Sequence, residues 1–343
     1  MTGVGIIGAG PGVSALHLPT LARLEGRFEV VHISDSGSGR AAALAARNGA
    51  RWSRGTHRLL ADPRVDVVLI ASPPQHHAEH ALAAISAGKR GILCEKPLAL
   101  TTAEADAVVD AARCADVALV VGTNHLFDPA WGRAKHHAAA GGRVQSISIT
   151  ASLPPNSRYH DLVTEQMPPA APRSAPDPTD PRAAAEAMRQ LVLGLLVHDL
   201  PLVRDLAPGE PEVLFARLLA PIGCAVGFRV GDVVVQASAV MVPDGADALW
   251  RMSVATTIDQ FEVAFPPSFV HGGSSRVQAS GEQAREVSYR QHPDNGYLAE
   301  WHALAAALDG AAPIEYDELR ADARFAIRVA DGAVAALLGK ARA

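Results

Sequence analysis

Up to Thr123, short apolar runs alternate with alanine-rich stretches. The runs are Val4 to Ile7, Phe28 to Ile33, Val65 to Ala71, Gly91 to Cys94 and Val117 to Val121. Between them, Ser14 to Leu24, Arg40 to Asn48, His77 to Ala87 and Thr102 to Arg113 are rich in alanine and mostly free of internal proline, as helices require. Strand and helix in steady alternation predict βαβ units and a buried parallel sheet. From Arg143 the period changes to two: Val144 to Ala151, Val213 to Leu219, Ala225 to Val230, Val233 to Met241, Ala248 to Thr256 and Phe261 to Phe265. That period predicts half-exposed strands in a largely antiparallel sheet.

The segment between the first two of these strands carries Pro154, Pro155, Pro168, Pro169, Pro172, Pro176, Pro178 and Pro181. Such proline density forbids regular structure and leaves two readings, a lid or binding loop and a disordered stretch. A helix containing Ala183 to Leu206 is expected next, and Gly296 to Leu308 and Asp317 to Leu338 read as further helices. The expected division is a first domain over 1–125 and a second over 126–343, with the last helix, about 317–338, packing back on the first.

Composition narrows the classes. With 48% hydrophobic and 20% charged residues, the 343-residue chain can bury a sizeable core. A net charge of -5 and no Lys/Arg-dense stretch give no reason to expect a nucleic-acid partner. Cys94, Cys114 and Cys224 are odd in number and lack a CxxC pair, so neither a disulfide framework nor a structural zinc site is signalled, and a reducing, cytoplasmic location is expected. The opening Met-Thr-Gly-Val-Gly-Ile-Ile-Gly reads as a strand rather than a signal peptide. Leu191 to Leu206 is interrupted by His198, Asp199, Pro201 and Arg204, too soon for the roughly 20 apolar residues of a bilayer span, so no membrane partner is expected.

Gly8-Ala9-Gly10-Pro11-Gly12-Val13 follows the first strand and opens a helix, the setting in which bare backbone approaches a pyrophosphate. The glycine pattern fits either from Gly8 or, two residues later, through Gly10, Gly12 and Ala15. Asp35 closes the second strand, where a carboxylate accepts bonds from ribose hydroxyls and repels a 2′-phosphate. NAD is therefore expected over NADP, with Arg40 the nearby cation that tempers the preference. Glu95-Lys96-Pro97 ends the fourth run, at the carboxyl edge of the sheet. Lysine is rare here, with four among 31 basic residues. A desolvated lysine can lose its proton and act as base to an alcohol or acid to a ketone, which arginine cannot.

Val4 to Val13 with His17-Leu18-Pro19, Ser72-Pro73-Pro74 with His77, Glu95-Lys96-Pro97-Leu98 and Gly122-Thr123-Asn124-His125 together resemble the glucose-fructose oxidoreductase, inositol dehydrogenase and MocA (Gfo/Idh/MocA) family. The resemblance implies an N-terminal Rossmann doubly wound parallel sheet and a C-terminal α/β domain with an open, mostly antiparallel sheet that joins subunits into a homodimer or homotetramer. It implies a cis Lys96-Pro97 peptide, and Lys96 and His198 in catalysis. It also implies cofactor contacts from Gly8 to Val13, Asp35, Ser72, Pro73, His77, Glu95, Lys96 and Asn124. Substrate contacts are expected from Lys96, His125, Tyr159, His198, Asp199 and Tyr297. The small-molecule substrate would be a sugar, cyclitol or related carbonyl compound.

Two positions depart from the family pattern: Gly194 stands where an Asp four residues before the His is common, and Leu126 where arginine is common. Either Asp199, or Tyr159, His160 or Asp161 of the proline-rich loop, supplies the missing polar contact, or the substrate is an unusual one. His76-His77-Ala78-Glu79-His80 matches H-x-x-E-H, but a strand-to-helix turn is the wrong setting for that zinc pattern and no metal is expected. His136-His137 reads as solvent-facing. Tyr297, Trp301 and His302 either line a pocket or pack in a core. The leading expectation is a nicotinamide-dependent dehydrogenase or reductase. The alternatives are redox-neutral lyase or hydrolase chemistry with tightly held NAD, and a regulatory protein that binds cofactor without turnover.

Overall fold

Strands β1 (Thr2–Ile7), β2 (Phe28–Asp35), β3 (Arg51–Arg54), β4 (Val67–Ile70), β5 (Gly91–Glu95) and β6 (Ala118–Gly122) form one sheet in the computed structural model. Their order is β3-β2-β1-β4-β5-β6, and every neighbouring pair is parallel. The order reverses between β1 and β4, the switch point outside which open α/β sheets take their ligands. The structure describes residues 1–24, 26–155, 158, 180–242, 247–267, 272–281 and 285–339. These divide into two compact units, Met1–Gly122 with Tyr297–Arg324, and the described parts of 123–296 with 325–339.

In the first unit, a π-helical turn over Val13–His17 runs into α1 (Leu18–Ala22), followed by α2 (Arg40–Arg47), α3 (His57–Leu60), α4 (His77–Ser86) and α5 (Thr102–Cys114). Thr101 and Glu104 close a reciprocal cap on α5, satisfying backbone donors that a helix start otherwise leaves unpaired. Val4, Ile6, Val67, Leu69, Ile92 and Leu93 are fully buried and form the sheet's core. The expected parallel sheet is present; β3, which was not expected, is a short edge strand.

The second unit contains α6 (Asn124–Phe127), α7 (Pro129–Ala140), β7 (Val144–Leu153), α8 (Pro181–Gly194), α9 (Leu200–Leu206), β8 (Pro211–Leu219), β9 (Ile222–Val230), β10 (Val233–Met241), β11 (Leu249–Thr256), β12 (Asp259–Ala264), β13 (Arg276–Gly281) and β14 (Arg285–Tyr289). Its eight strands run β14-β13-β12-β11-β7-β10-β9-β8. All neighbours are antiparallel except β7 and β10. One face buries Ile147, Ile149, Val235 and Met252. The other carries Ser146, Ser148, Gln236, Ser253, Gln260 and Gln278 around a shallow trough of about 680 Å³.

Two expectations are corrected here. The helix expected across Ala183 to Leu206 breaks after Gly194 into a 3-10 turn, Leu196–His198, before α9 begins. Pro201, in the first turn of α9, has no N–H for the preceding turn and would clash with its carbonyl, while Gly194 supplies little helix propensity. His137, expected in solvent beside His136, is mostly buried, 2.9 Å from the Tyr289 hydroxyl and 2.8 Å from Asp259 Oδ2.

Helices α10 (Gly296–Leu308) and α11 (Tyr316–Leu337) follow. The Tyr316 hydroxyl donates to the Val117 carbonyl at 3.0 Å, and Arg324 makes a two-pronged pair with Asp106 of α5 at 2.8 and 2.6 Å. Among the described residues no helix is long and apolar enough to cross a membrane.

Candidate active site

The turn after β1 is shaped by glycines for distinct reasons. Gly8 has φ +115°, and a Cβ there would lie 2.3 Å from the Ala71 carbonyl oxygen at the end of β4. Only glycine lets these two strand ends approach so closely at the switch point. A Cβ on Gly10 or Gly12 would meet nothing within 4 Å, so the backbone there is bare and open. A bare turn at a helix start fits the diphosphate of a dinucleotide. Ala9 is buried beneath it. Val13 is fully buried and its N–H donates to the Gly10 carbonyl at 3.1 Å, closing the turn.

Asp35 ends β2 as expected, and its carboxylate organises the loop that follows. Oδ1 accepts from the Gly37 N–H at 2.8 Å, and Oδ2 accepts from the Ala41 N–H at 3.1 Å and from the Ser38 hydroxyl. Burial pushes this carboxyl up, but the bonds from Ser38, Ala41 and Gly37 outweigh it and hold Asp35 below the usual carboxylate range. Arg54, its register partner on β3, donates to the Ser36 carbonyl at 3.1 Å. Two cations, Arg40 and Arg54, thus flank the loop from 36 to 39.

Ser72 and Pro73 follow β4, and His77 starts α4. The His77 ring bridges the Ser72 and Pro97 carbonyls, 2.7 Å from each. It ties the β4 and β5 ends together, so its role is to hold the loops that carry the site. Ser72 Oγ lies 2.9 Å from His80 Nδ1, and His76 is exposed. His76 lies 3.6 Å from Glu79 Oε2 and its ring stacks on His80 at 5.7 Å, and no group of three or more possible ligands for a metal occurs among the described residues.

Glu95 and Lys96 stand at the end of β5, and the Lys96–Pro97 peptide is cis. His17, delivered by the π-helical turn, donates from Nε2 to Glu95 Oε1 at 2.7 Å. The Lys96 backbone N–H donates to Glu95 Oε2 at 3.3 Å. Burial alone would push Glu95 up, yet His17, Lys96 and His77 keep it below the usual range and ionised. Burial also pushes the Lys96 ammonium below the usual lysine range, partly opposed by the Glu95 carboxylate. A lysine lowered in this way loses its proton more readily than a free one.

A second cluster lies within the other unit. His125 Nδ1 donates to Asp199 Oδ1 at 2.8 Å, and the Trp250 indole donates to Asp199 Oδ2 at 2.8 Å. The His125 ring stacks on Phe265 with centroids 3.7 Å apart, and His198 lies 5.2 Å from it, edge-on to Trp250. Asp199 is fully buried, and its two oxygens accept from His125 and Trp250, which orients the His125 ring. Asn124 begins α6 with its side-chain carbonyl oxygen buried and unbonded among the described residues. Gly194 ends α8, and a Cβ there would meet nothing within 4 Å.

The expected residues thus form two groups, Gly8 to Gly12, Asp35, Ser72, Pro73, His77, Glu95 and Lys96 in one unit, and Asn124, His125, His198 and Asp199 in the other. Tyr297 is half-buried in the first turn of α10, Trp301 is core against Phe28 and His17, and His302 is exposed. Tyr159, His160 and Asp161 lie outside the described residues. Sequence reasoning missed Trp250 and Phe265, which it placed only within the strand runs Ala248 to Thr256 and Phe261 to Phe265.

Residues 2–123 match the family described as "Oxidoreductase family, NAD-binding Rossmann fold" (GFO_IDH_MocA). The chain is 34% identical over 209 residues to inositol 2-dehydrogenase 2 of Saccharopolyspora erythraea, covering 60% of this chain and 54% of that protein. It is 27% identical over 233 residues to myo-inositol 2-dehydrogenase of Thermotoga maritima, covering 67% and 62%. The chain therefore spans less than two thirds of the length of these curated relatives. In fold it is similar to KijD10, a 3-ketoreductase from Actinomadura kijaniata solved with TDP-benzene and NADP, with TM-score 0.74, 20% identity, and coverage of 97% and 96%.

Proposed function

We propose, from the premise that this chain belongs to the Gfo/Idh/MocA oxidoreductase family, that it moves hydride between a nicotinamide cofactor and a hydroxyl or keto carbon of a sugar, cyclitol or related secondary-metabolite substrate. The observation that carries this reading is Lys96, a lysine lowered by burial at the carboxyl edge of a parallel sheet whose switch point bears a bare glycine turn. When bound, the nicotinamide supplies the hydride chemistry. The chain's own work is orientation and proton handling. Lys96 takes the hydroxyl proton in oxidation and returns it in reduction, Glu95 and His17 fix the charge beside it, and His198 assists the proton transfer. Gly8, Gly10 and Gly12 receive the diphosphate.

The test is the change in nicotinamide absorbance with NAD and NADP against cyclitols, sugars and keto sugars. Substrate-dependent turnover supports the reading. Nucleotide retained through purification without net redox change on any substrate would instead favour redox-neutral chemistry.

NAD is the proposed preferred cofactor, because the ionised Asp35 disfavours a 2′-phosphate at the end of β2. Arg40 and Arg54 are the cations that a 2′-phosphate would meet once that charge is gone. Asp35→Asn is expected to raise kcat/KM with NADP relative to NAD by about tenfold, since removing one charge at close range changes the interaction by roughly 1–2 kcal/mol in a partly exposed setting. An unchanged ratio in parallel initial-rate assays would count against Asp35 as the selector.

The open space at Gly194 points to a substrate with bulk or a polar group where family relatives carry Asp. Gly194→Asp is expected to fold normally and to lower KM for free cyclitols, read by thermal unfolding and initial rates. Loss of stability would mean that the space is not free. The polar face of the second sheet is the proposed subunit contact of a homodimer or homotetramer, read by light scattering.

A further inference from the structure

His32, on β2, engages both of its ring nitrogens inside the first unit. Nδ1 lies 3.1 Å from Asp62 Oδ2 and Nε2 lies 3.1 Å from Ser53 Oγ, and all three residues are buried. Ser53 is on β3 and Asp62 follows α3. The Ser53 hydroxyl donates to the Gly55 carbonyl at 3.2 Å. Gly55 has φ +74°, and its N–H donates to the Asp35 carbonyl at 2.8 Å. Between Ser53 and Gly55, Arg54 donates to the Ser36 carbonyl at 3.1 Å. Ser53 therefore stands at the root of the segment that ties the end of β3 to Asp35 and its loop.

The protons of this chain of bonds can be counted. Burial pushes the Asp62 carboxyl up, but bonds from Arg64 and His32 outweigh it and hold Asp62 well below the usual carboxylate range, so it is ionised and only accepts. Nδ1 of His32 is then the donor. If Nε2 also carries a proton, it donates to Ser53 Oγ, and the one Ser53 proton is free for the Gly55 carbonyl. If Nε2 is bare it is an acceptor, and the Ser53 proton must turn to it and leave the Gly55 carbonyl. The charged groups around the ring are Arg51 from β3, Asp62, Arg64 and Asp66 from the turn between α3 and β4, and Lys89 from the turn before β5. Strand β1 carries none, and His57 and Arg58 of α3 are exposed.

We propose that His32 and Ser53 are positioning residues for the nucleotide: the proton on His32 Nε2 decides whether the Ser53 hydroxyl braces Gly55, and with it the Asp35 loop that receives the adenosine ribose. This rests on the reading of the chain as a binder of a nicotinamide nucleotide. The loop is braced while the ring is doubly protonated and released as pH rises and the ring loses the Nε2 proton. Cofactor affinity thereby gains a pH dependence that arises at β2 and β3 rather than at Lys96.

The first measurement needs no cofactor. Labelling with 13C-carbonyl glycine and 15N-threonine gives signals only from Gly55-Thr56 and Gly122-Thr123, the two Gly-Thr pairs of the chain. Titrated from about pH 5 to 8, where histidine changes charge, the Gly55 carbonyl signal should move together with the His32 ring signal, which His32→Gln assigns. In Ser53→Ala it should stay still, and in Ser53→Thr, which keeps the hydroxyl, the movement should return. A Gly55 signal that ignores the His32 titration, or that follows it equally in Ser53→Ala, overturns the switch. If Ser53→Ala does not fold, Ser53→Cys, a weaker donor of similar volume, replaces it.

The second measurement is Kd for NAD over the same range, by calorimetry. Wild-type Kd should weaken by about threefold from the acid to the alkaline side of the His32 titration, part of the net worth of one hydrogen bond. Ser53→Ala should lack this step and keep the weaker value throughout. By reciprocity, bound NAD should make the His32 ring harder to deprotonate by the same factor. The same step in wild type and Ser53→Ala overturns the role in cofactor binding. A chain that binds no NAD at any pH overturns the nucleotide reading and this role with it, while the carbonyl titration separately decides the switch.

Discussion

Lys96→Arg is expected to lower kcat for nicotinamide-linked oxidation by about 10² to 10⁴-fold, the usual worth of a positioned proton-transfer group. Arginine keeps the positive charge and most of the reach, but its guanidinium stays protonated at any working pH and cannot accept a proton from a hydroxyl. NADH binding, followed by its fluorescence, should be little changed, because the glycine turn and Asp35 are untouched. Lys96→Ala should lose as much turnover as the arginine variant. If the arginine variant kept its rate while the alanine variant lost it, the lysine would be acting as a fixed charge.

The pH dependence has a definite sign. Burial destabilises the charged form of Lys96, so its ammonium deprotonates below the ordinary lysine value, and Glu95 limits how far below. Oxidation of an alcohol needs the neutral amine, so kcat/KM in that direction rises with pH through the lowered midpoint and then levels. Reduction of a ketone needs the ammonium, so the rate in that direction falls across the same window. Both limbs should vanish from the residual activity of Lys96→Ala. A limb that survived in the alanine variant would belong to another group.

What the sequence made legible was whatever depends on near neighbours along the chain. The glycine turn, the lysine at the end of β5 and the buried strands of the parallel sheet are local patterns, and each appears where expected. The edge strands β3 and β14, and β13 beside β14, were not legible, because short strands at a sheet's margin expose much of their surface and lose the apolar signature: in β3 only Ser53 is buried. The break after Gly194 was signalled by Pro201, but the apolar run through Leu196 and Val197 hid it. The partners of the site residues were the least legible of all. His17 and Glu95 are 78 positions apart, and Asp199 and Trp250 are 51 apart. The two donors of Asp199, His125 and Trp250, come from distant elements, and only packing brings them together.

That same arrangement makes Asp199→Ala the substitution with the largest expected cost to stability. It would leave the His125 Nδ1–H and the Trp250 indole N–H buried without an acceptor, in a cluster closed by the Phe265 stack. Removing one partner of a buried hydrogen-bonded charge costs about 3–5 kcal/mol, because the groups left behind stay desolvated. For a unit of this size that lowers the melting temperature by roughly 10 °C. Asp199→Asn keeps one carbonyl acceptor and most of the volume, so its loss should be smaller. The His125→Phe, Asp199→Ala double variant removes one stranded donor and fills the ring's place against Phe265, so it should be more stable than the sum of the two single changes predicts. Thermal unfolding of the four proteins measures that coupling. Strict additivity would show that His125 and Asp199 do not hold each other, and that His125 owes its orientation to the Phe265 stack alone.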